Sequence, residues 1–396
     1  MRRGVVRVAA VLAMFPLLFL LAVGSSAPPA VAQEQPEAEP PVPEPPKPAA
    51  AAWALADADS GLYLAGENAD EPLPIASMTK VMVALMVLEG DTNLEEEVEI
   101  SEQAEEFVGS VYSNVGLIQG EQVTVRDLLV ATLVPSGTEA AYALAEHLGG
   151  GSVEQFVASM NERADELGLE NTSFADPAGL DDPENYSSAR DLSIMTSEAL
   201  QYPLFVETVG ATEVTIATDN REIEAFTTNE LLYSYPAATG VKTGTSPEAG
   251  PSLVGAAEAE DERYLAVVLD AAGDVERFTF AEELLRYGFD NYEREALVQE
   301  GEVYEESALP FRRGEAVALV AAEEIAVPVA GEPEVERRVD TGGELPASAG
   351  AGDVIGEVEA LVGGESVGSA PLVAREGYEE ASILNRAWFW VSGFFQ

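Results

Sequence analysis

Apolar positions divide the chain into stretches of different periodicity. From Val81 to Leu88 almost every residue is apolar, which predicts a helix buried on most sides with Ser77 in its first turn. Upstream, Trp53 to Leu64 reads as two short strands about a turn at Asp59-Ser60-Gly61. Further on, Arg126 to Leu148 is helical in pattern but interrupted by Pro135-Ser136-Gly137-Thr138, and Val153 to Leu167 is amphipathic. Ser188-Ala189-Arg190-Asp191 has the form of a capping box, with aspartate for the usual glutamate, opening a helix through Leu200. Strands are expected at Val241 to Gly244, Ser252 to Ala257 and Tyr264 to Leu269, then a closing helix at Phe280 to Gly288. Helices flanked by strands from both ends predict one α/β (α+β) domain over residues 51–295, whose sheet joins distant parts of the chain.

After Glu295 the pattern changes to short strand-like runs, at Ala316 to Val320, Ile325 to Val329 and Val354 to Leu361, broken by Gly and Pro. They predict a small β-rich, sandwich-like module over residues 296–376. In the last segment, 377–396, Ile383, Leu384, Ala387, Trp388, Val391, Phe394 and Phe395 recur at helical spacing, as in an amphipathic helix lying on a membrane surface. At the other end, Arg2, Arg3 and Arg7 precede an apolar run from Val8 to Val23 and a small-residue cleavage site at Ala30-Val31-Ala32. Residues 1–32 therefore read as a secretory signal peptide, and the mature protein as exported. Residues 33–50, rich in Pro, Glu and Ala, read as a semi-extended linker.

Composition narrows the chemistry. There is no cysteine and one histidine, His147, which ends an expected helix. This excludes disulfides and the usual Cys/His zinc sites, and leaves little room for a Ser-His-Asp triad. Asp57, Asp59 and Gly61 are spaced like the start of a calcium loop, but Asn68 stands where the bidentate glutamate belongs, so a plain turn is expected. No metal or other cofactor is implied. The formal charge of −51 opposes nucleic acid and anionic membrane as electrostatic partners and suits a salty environment.

Only three lysines occur in 396 residues. Lys47 lies in the linker, whereas Lys80 belongs to Ser77-Met78-Thr79-Lys80 and Lys242 to Lys242-Thr243-Gly244-Thr245. Arginine serves as the cation elsewhere, and a guanidinium is effectively never a base; a desolvated lysine can be. On a helix, residues three apart share a face, so Lys80 can reach the Ser77 hydroxyl and activate it as a nucleophile. The helix start supplies one oxyanion donor, the Ser77 N–H, and the Thr245 N–H on a strand edge is the second. Gly244 leaves room for a substrate along that strand, and Lys242, on the same face, offers a charge to a carboxylate. The pattern points to serine acyl transfer.

S-x-x-K, a Ser-led triplet and K-T-G are together the signature of penicillin-binding proteins and class A β-lactamases. From Trp53 to about Tyr292 the chain resembles the D-alanyl-D-alanine carboxypeptidase family, serine peptidases of the S11 type and low-molecular-mass penicillin-binding proteins. The resemblance rests on Pro74 to Lys80, Ser136 to Ala141, Tyr186 to Leu192, Thr239 to Thr245 and Leu284 to Phe289. It implies the DD-peptidase/β-lactamase-like fold, with the β-rich module and tail anchor following the catalytic domain. It also implies attack by Ser77 on the D-Ala-D-Ala bond of peptidoglycan stem peptides, inhibition by β-lactams, and attachment to the outer face of the cytoplasmic membrane. Ser136 is implied as a proton shuttle, and Arg277 as a candidate to hold the terminal carboxylate, with an ordinary ion pair at a helix start as its other reading. One motif departs: Ser136-Gly137-Thr138 replaces the family's usual Ser-Gly-Asn, and a threonine hydroxyl makes fewer hydrogen bonds than an amide. Two other readings stay open, a β-lactamase-like hydrolase and a catalytically silent cell-wall-binding protein of the same fold. No E-x-x-L-N segment lies between Ser136 and Lys242, which disfavours the first.

Overall fold

The computed structural model describes residues 42–47, 49–90, 92–260, 262–331 and 333–393, so the expected signal peptide lies outside the described residues. The centre of the larger part is a five-stranded antiparallel sheet in the order Tyr63–Glu67, Ala50–Asp57, Glu262–Ala271, Ser252–Ala259, Ala238–Gly244. Ala50–Asp57 thus pairs with a strand some two hundred residues later, and Tyr63–Glu67 forms the edge beside it.

Side chains alternate between the two faces of this sheet. Trp53, Leu55, Leu253, Tyr264, Ala266 and Val268 pack against Phe278, Ala281, Leu284 and Leu285 of the Asp274–Asn291 helix. That helix begins six residues before the expected Phe280, because its first turn, Asp274, Val275 and Glu276, is exposed and gives no side chain to the core. On the other face, Ala54, Ala56, Val254, Leu265, Val267 and Leu269 join one core with the Lys80–Glu89, Val125–Leu133, Thr138–Leu148, Val153–Glu166 and Ala189–Leu200 helices. Alanines in Ala50–Asp57 keep this face shallow, and the Ala189–Leu200 helix packs on it. Lys80–Glu89 is the central helix; Val81, Met82, Val83, Ala84 and Leu85 are fully buried. Each large side chain among them contributes about 1.5–3 kcal/mol.

Ser188 accepts from the Asp191 N–H at 3.1 Å and so caps its helix. Asp191 does not complete a reciprocal box; its carboxylate instead accepts from the Asn171 N–H and the Thr172 hydroxyl. A hairpin of Glu213–Ala217 and Glu222–Phe226 escaped the sequence pattern, because only Ile216 and Ala225 in it are buried.

In the C-terminal part, a five-stranded antiparallel sheet has the order Val303–Ala308, Ala316–Ala321, Glu365–Ala374, Val354–Val362, Val335–Asp340. A two-stranded pair, Glu293–Val298 with Ile325–Val329, covers it, and Leu297, Val298 and Val327 share a core with Leu319, Val358 and Leu372. The helix Ile383–Gly393 follows. It meets this part through Phe389, edge-on to Phe311 with ring centroids 5.7 Å apart, while Ile383, Leu384, Trp388 and Val391 are exposed.

Arg294 joins the two parts. Its Nη2 lies 2.6 Å from Asp57 and 2.9 Å from Asp59, and its Nη1 donates to the Ala326 carbonyl at 2.9 Å. Arg263 also pairs with Asp59. Both carboxylates suggestive of a calcium loop therefore hold guanidinium groups, and Asp57 also accepts from the Ser60 hydroxyl at 2.6 Å. Since the Asp57 side chain is fully buried, Arg294→Met leaves a charge without its main counter-ion. That substitution is expected to cost about 2–4 kcal/mol, read as a lowered denaturation midpoint; an unchanged midpoint would show that the junction contributes nothing to stability.

Candidate active site

Ser77 does not occupy the first turn of the α-helix. It lies in a 3-10 turn, Ala76–Thr79, and the α-helix begins at Lys80. Two segments approach this turn closely. A Cβ on Gly244 would stand 2.5 Å from the Ile75 carbonyl oxygen, and one on Gly179, whose φ is +79°, would stand 1.8 Å from that of Ala76. Ala76 itself is left-handed, with φ 48°. The nucleophile turn thus lies in close contact with both the edge strand and the 176–180 segment.

Lys80 is fully buried and donates from Nζ to Ser77 Oγ at 2.8 Å and to the Ala178 carbonyl at 3.0 Å. Burial lowers its pKa to about 7, against the opposing attraction of Asp176 and Glu139. Near neutral pH a proton can therefore leave or join this amine at little cost.

Ser136 lies between the Val125–Leu133 and Thr138–Leu148 helices, buried and left-handed with φ 66°. Its motif is held by backbone: Gly137 N–H donates to the Ala131 carbonyl at 2.7 Å and Thr138 N–H to that of Ser113 at 2.8 Å. Thr138, also buried, is the first residue of its helix. Next to it, buried Glu139 accepts from the N–H groups of Val115 at 2.7 Å and Gly116 at 2.9 Å.

Lys242 is buried near the end of the Ala238–Gly244 edge strand, its Nζ 3.1 Å from the Thr243 carbonyl. Burial, then Lys80 and Arg277, push its pKa well below the usual lysine value. Thr243 Oγ1 is 2.6 Å from Thr228 Oγ1. Arg277 donates to the Gly244 carbonyl at 3.1 Å and to Thr245 Oγ1 at 2.5 Å, so its guanidinium lies against the edge strand. Asp274 is 3.4 Å away and exposed, so the helix-start ion pair is present but weak. Three cations, Lys80, Lys242 and Arg277, thus bear on one place, and an anionic group arriving there would relieve their repulsion.

Asp176, Ala178 and Glu139 were not singled out from the sequence. Asp176-Pro177-Ala178-Gly179 is legible as a turn by composition, but nothing local shows that it meets Lys80. The Ala178 carbonyl lies 98 residues from its partner.

Residues 39–273 match the D-alanyl-D-alanine carboxypeptidase family (Peptidase S11), and residues 292–380 match the C-terminal domain of penicillin-binding protein 5. The carboxypeptidase DacF of Bacillus subtilis is 31% identical over 83% of this chain and 86% of its own. For the carboxypeptidase DacC of Escherichia coli the identity is 34%, over 85% and 86%. Penicillin binding protein 5 from Haemophilus influenzae superposes with a TM-score of 0.73 at 31% identity, over 85% of this chain and 99% of that one. With matches that span both parts of the fold, the chain belongs to the D-alanyl-D-alanine carboxypeptidase family.

Proposed function

We propose that the protein releases the terminal D-alanine of peptidoglycan stem peptides through an acyl-enzyme on Ser77. The observation that carries this reading is the 2.8 Å bond between Ser77 Oγ and a fully buried lysine amine. The free-base form of Lys80 takes the Ser77 proton as Oγ attacks the scissile carbonyl. The N–H groups of Ser77 and Thr245 face the developing oxyanion. The proton then passes from Lys80 through the Ser136 hydroxyl to the leaving nitrogen, the C–N bond breaks, and D-alanine departs. Water, deprotonated by Lys80, cleaves the ester and restores Ser77. The substrate's terminal carboxylate is placed by Lys242, Thr243, Thr245 and Arg277, with the peptide along Gly244. The Ser77–Lys80 pair opposes the silent-protein reading, since a binding module has no need of a lysine poised near neutrality.

Around this chemistry we assign residues 51–295 to catalysis, 296–376 to a supporting module, 1–32 to export and 377–396 to membrane attachment from outside. Among the described residues no helix is long and apolar enough to cross a membrane. The exposed apolar side chains of Ile383–Gly393 favour a helix lying in the interface.

Benzylpenicillin is expected to form one adduct on Ser77, with an acylation rate that rises as pH passes through about 7, where Lys80 loses its proton. Lys80→Arg keeps the charge but removes the base, so intact-mass analysis of the folded variant should show no adduct; acylation at the wild-type rate would make Lys80 structural. Thr138→Asn is expected to keep or raise D-alanine release from a diacylated Lys-D-Ala-D-Ala peptide. A loss of about a hundredfold would instead show a site rebuilt around threonine. Deleting residues after Glu380 should move the mature protein from the membrane to the soluble fraction; loss of thermal stability without release would place the tail in the fold's own packing.

A further inference from the structure

Lys80 Nζ has two acceptors, and only one of them belongs to a motif. The other, the Ala178 carbonyl, sits in a turn that is built around a single carboxylate. Asp176 Oδ1 accepts from the N–H groups of Ala178 at 2.7 Å and Gly179 at 2.8 Å. Its Oδ2 accepts from the Leu180 N–H at 3.1 Å and from Asn185 Nδ2 at 2.7 Å. With its N–H groups turned inward to the carboxylate, the peptide chain is fixed in a bend that aims the Ala178 carbonyl at the amine. Gly179, left-handed, lets the same bend reach the backbone of Ala76.

We infer that Asp176 is the positioning residue for Lys80: by winding residues 176–180 it holds the Ala178 carbonyl against the amine and keeps a buried negative charge beside it. This rests on Lys80 being the base of the acylation step. The charged groups bearing on Lys80 are Asp176 from this turn, Glu139 from the Thr138–Leu148 helix, and Lys242 from the edge strand. Burial works against charge on both Asp176 and Lys80, and each lowers the other's difficulty. The carbonyl holds the nitrogen in place whichever form it takes, with at least one N–H directed away from Ser77, so the lone pair of the free base can turn to the Ser77 hydroxyl.

Asp176 touches no substrate atom, and its effect is distinguishable from mere support of the fold. If the turn alone mattered, a neutral replacement that keeps the turn would change little, and one that loses it would lower the rate at every pH. If the charge matters, the neutral replacement moves the titration of Lys80. The sign follows from the attraction: without the carboxylate the lysine holds its proton less tightly, so its pKa falls.

The experiment is the pH dependence of benzylpenicillin acylation by the full chain, followed by intact mass, in wild type and Asp176→Asn. An amide oxygen can still accept from the backbone N–H groups. Asp176→Ser, whose hydroxyl makes a similar turn on a shorter arm, serves if the amide variant does not fold. The midpoint of the acid limb is expected to move down by about half to one pH unit in a variant that keeps its thermal midpoint. An unmoved midpoint in a folded variant overturns the assignment. A wild-type profile without an acid limb overturns the role of Lys80 itself, a distinct result.

Discussion

The structure depends on taking one primary amine out of water without leaving it unsatisfied. An isolated ammonium in a protein interior is costly, and the cost is met either by partners or by losing the proton. Lys80 does some of both. Its two acceptors, Ser77 Oγ and the Ala178 carbonyl, come from opposite sides, and the carboxylates of Asp176 and Glu139 lie far enough off to attract the charge without pairing with it. A direct salt bridge would hold the proton too firmly for a base; an apolar pocket would abolish the charged form. The intermediate arrangement needs the nucleophile turn, the Asp176 turn, the Thr138–Leu148 helix and the edge strand all in register, which is what the surrounding core maintains.

The charge of the site contrasts with that of the body. The chain carries −51, yet Lys242 and Arg277 lie together at the end of the edge strand, with Lys80 near enough to bear on Lys242. At physiological salt the Debye length is about 8 Å, so the surface acids are screened from one another and from an approaching peptide. The buried cations are not screened in this way. High ionic strength therefore softens the repulsion of an anionic substrate by the body while preserving its attraction to the pocket.

The C-terminal part is joined to the rest by charge pairs and by Leu62 of the N-terminal hairpin, which packs against the module's core. Arg294 links Asp57 and Asp59 of the N-terminal hairpin to the Ala326 carbonyl. Since Ala50–Asp57 is the second strand of the main sheet, this junction connects the module directly to the element on which the Ala189–Leu200 helix packs. The Ile383–Gly393 helix follows the module, with Phe389 against Phe311 and Trp388 exposed.

The sequence by itself pointed to the main elements of the larger part and to the chemistry, but not to the hairpin at 213–226 or to the strands Val303–Ala308, Val335–Asp340 and Glu365–Ala374. Alternation at Trp53 and Leu55, the unbroken apolar run after Lys80, and the break at Pro135 located the strands and helices because each pattern is local. Three lysines among 396 residues pointed to Ser77, Lys80 and Lys242 because an amine and a guanidinium differ in basicity wherever they sit. The tertiary structure alone showed Ser77 in a 3-10 turn that packs closely against Gly244 and Gly179, both more than a hundred residues away. It alone put Asp176 and the Ala178 carbonyl beside Lys80. A backbone carbonyl has no signature in the sequence, and an aspartate in an Asp-Pro turn looks the same whether it faces solvent or a buried amine. What a lysine can do is written in its side chain; its pKa is set by everything that excludes water from it.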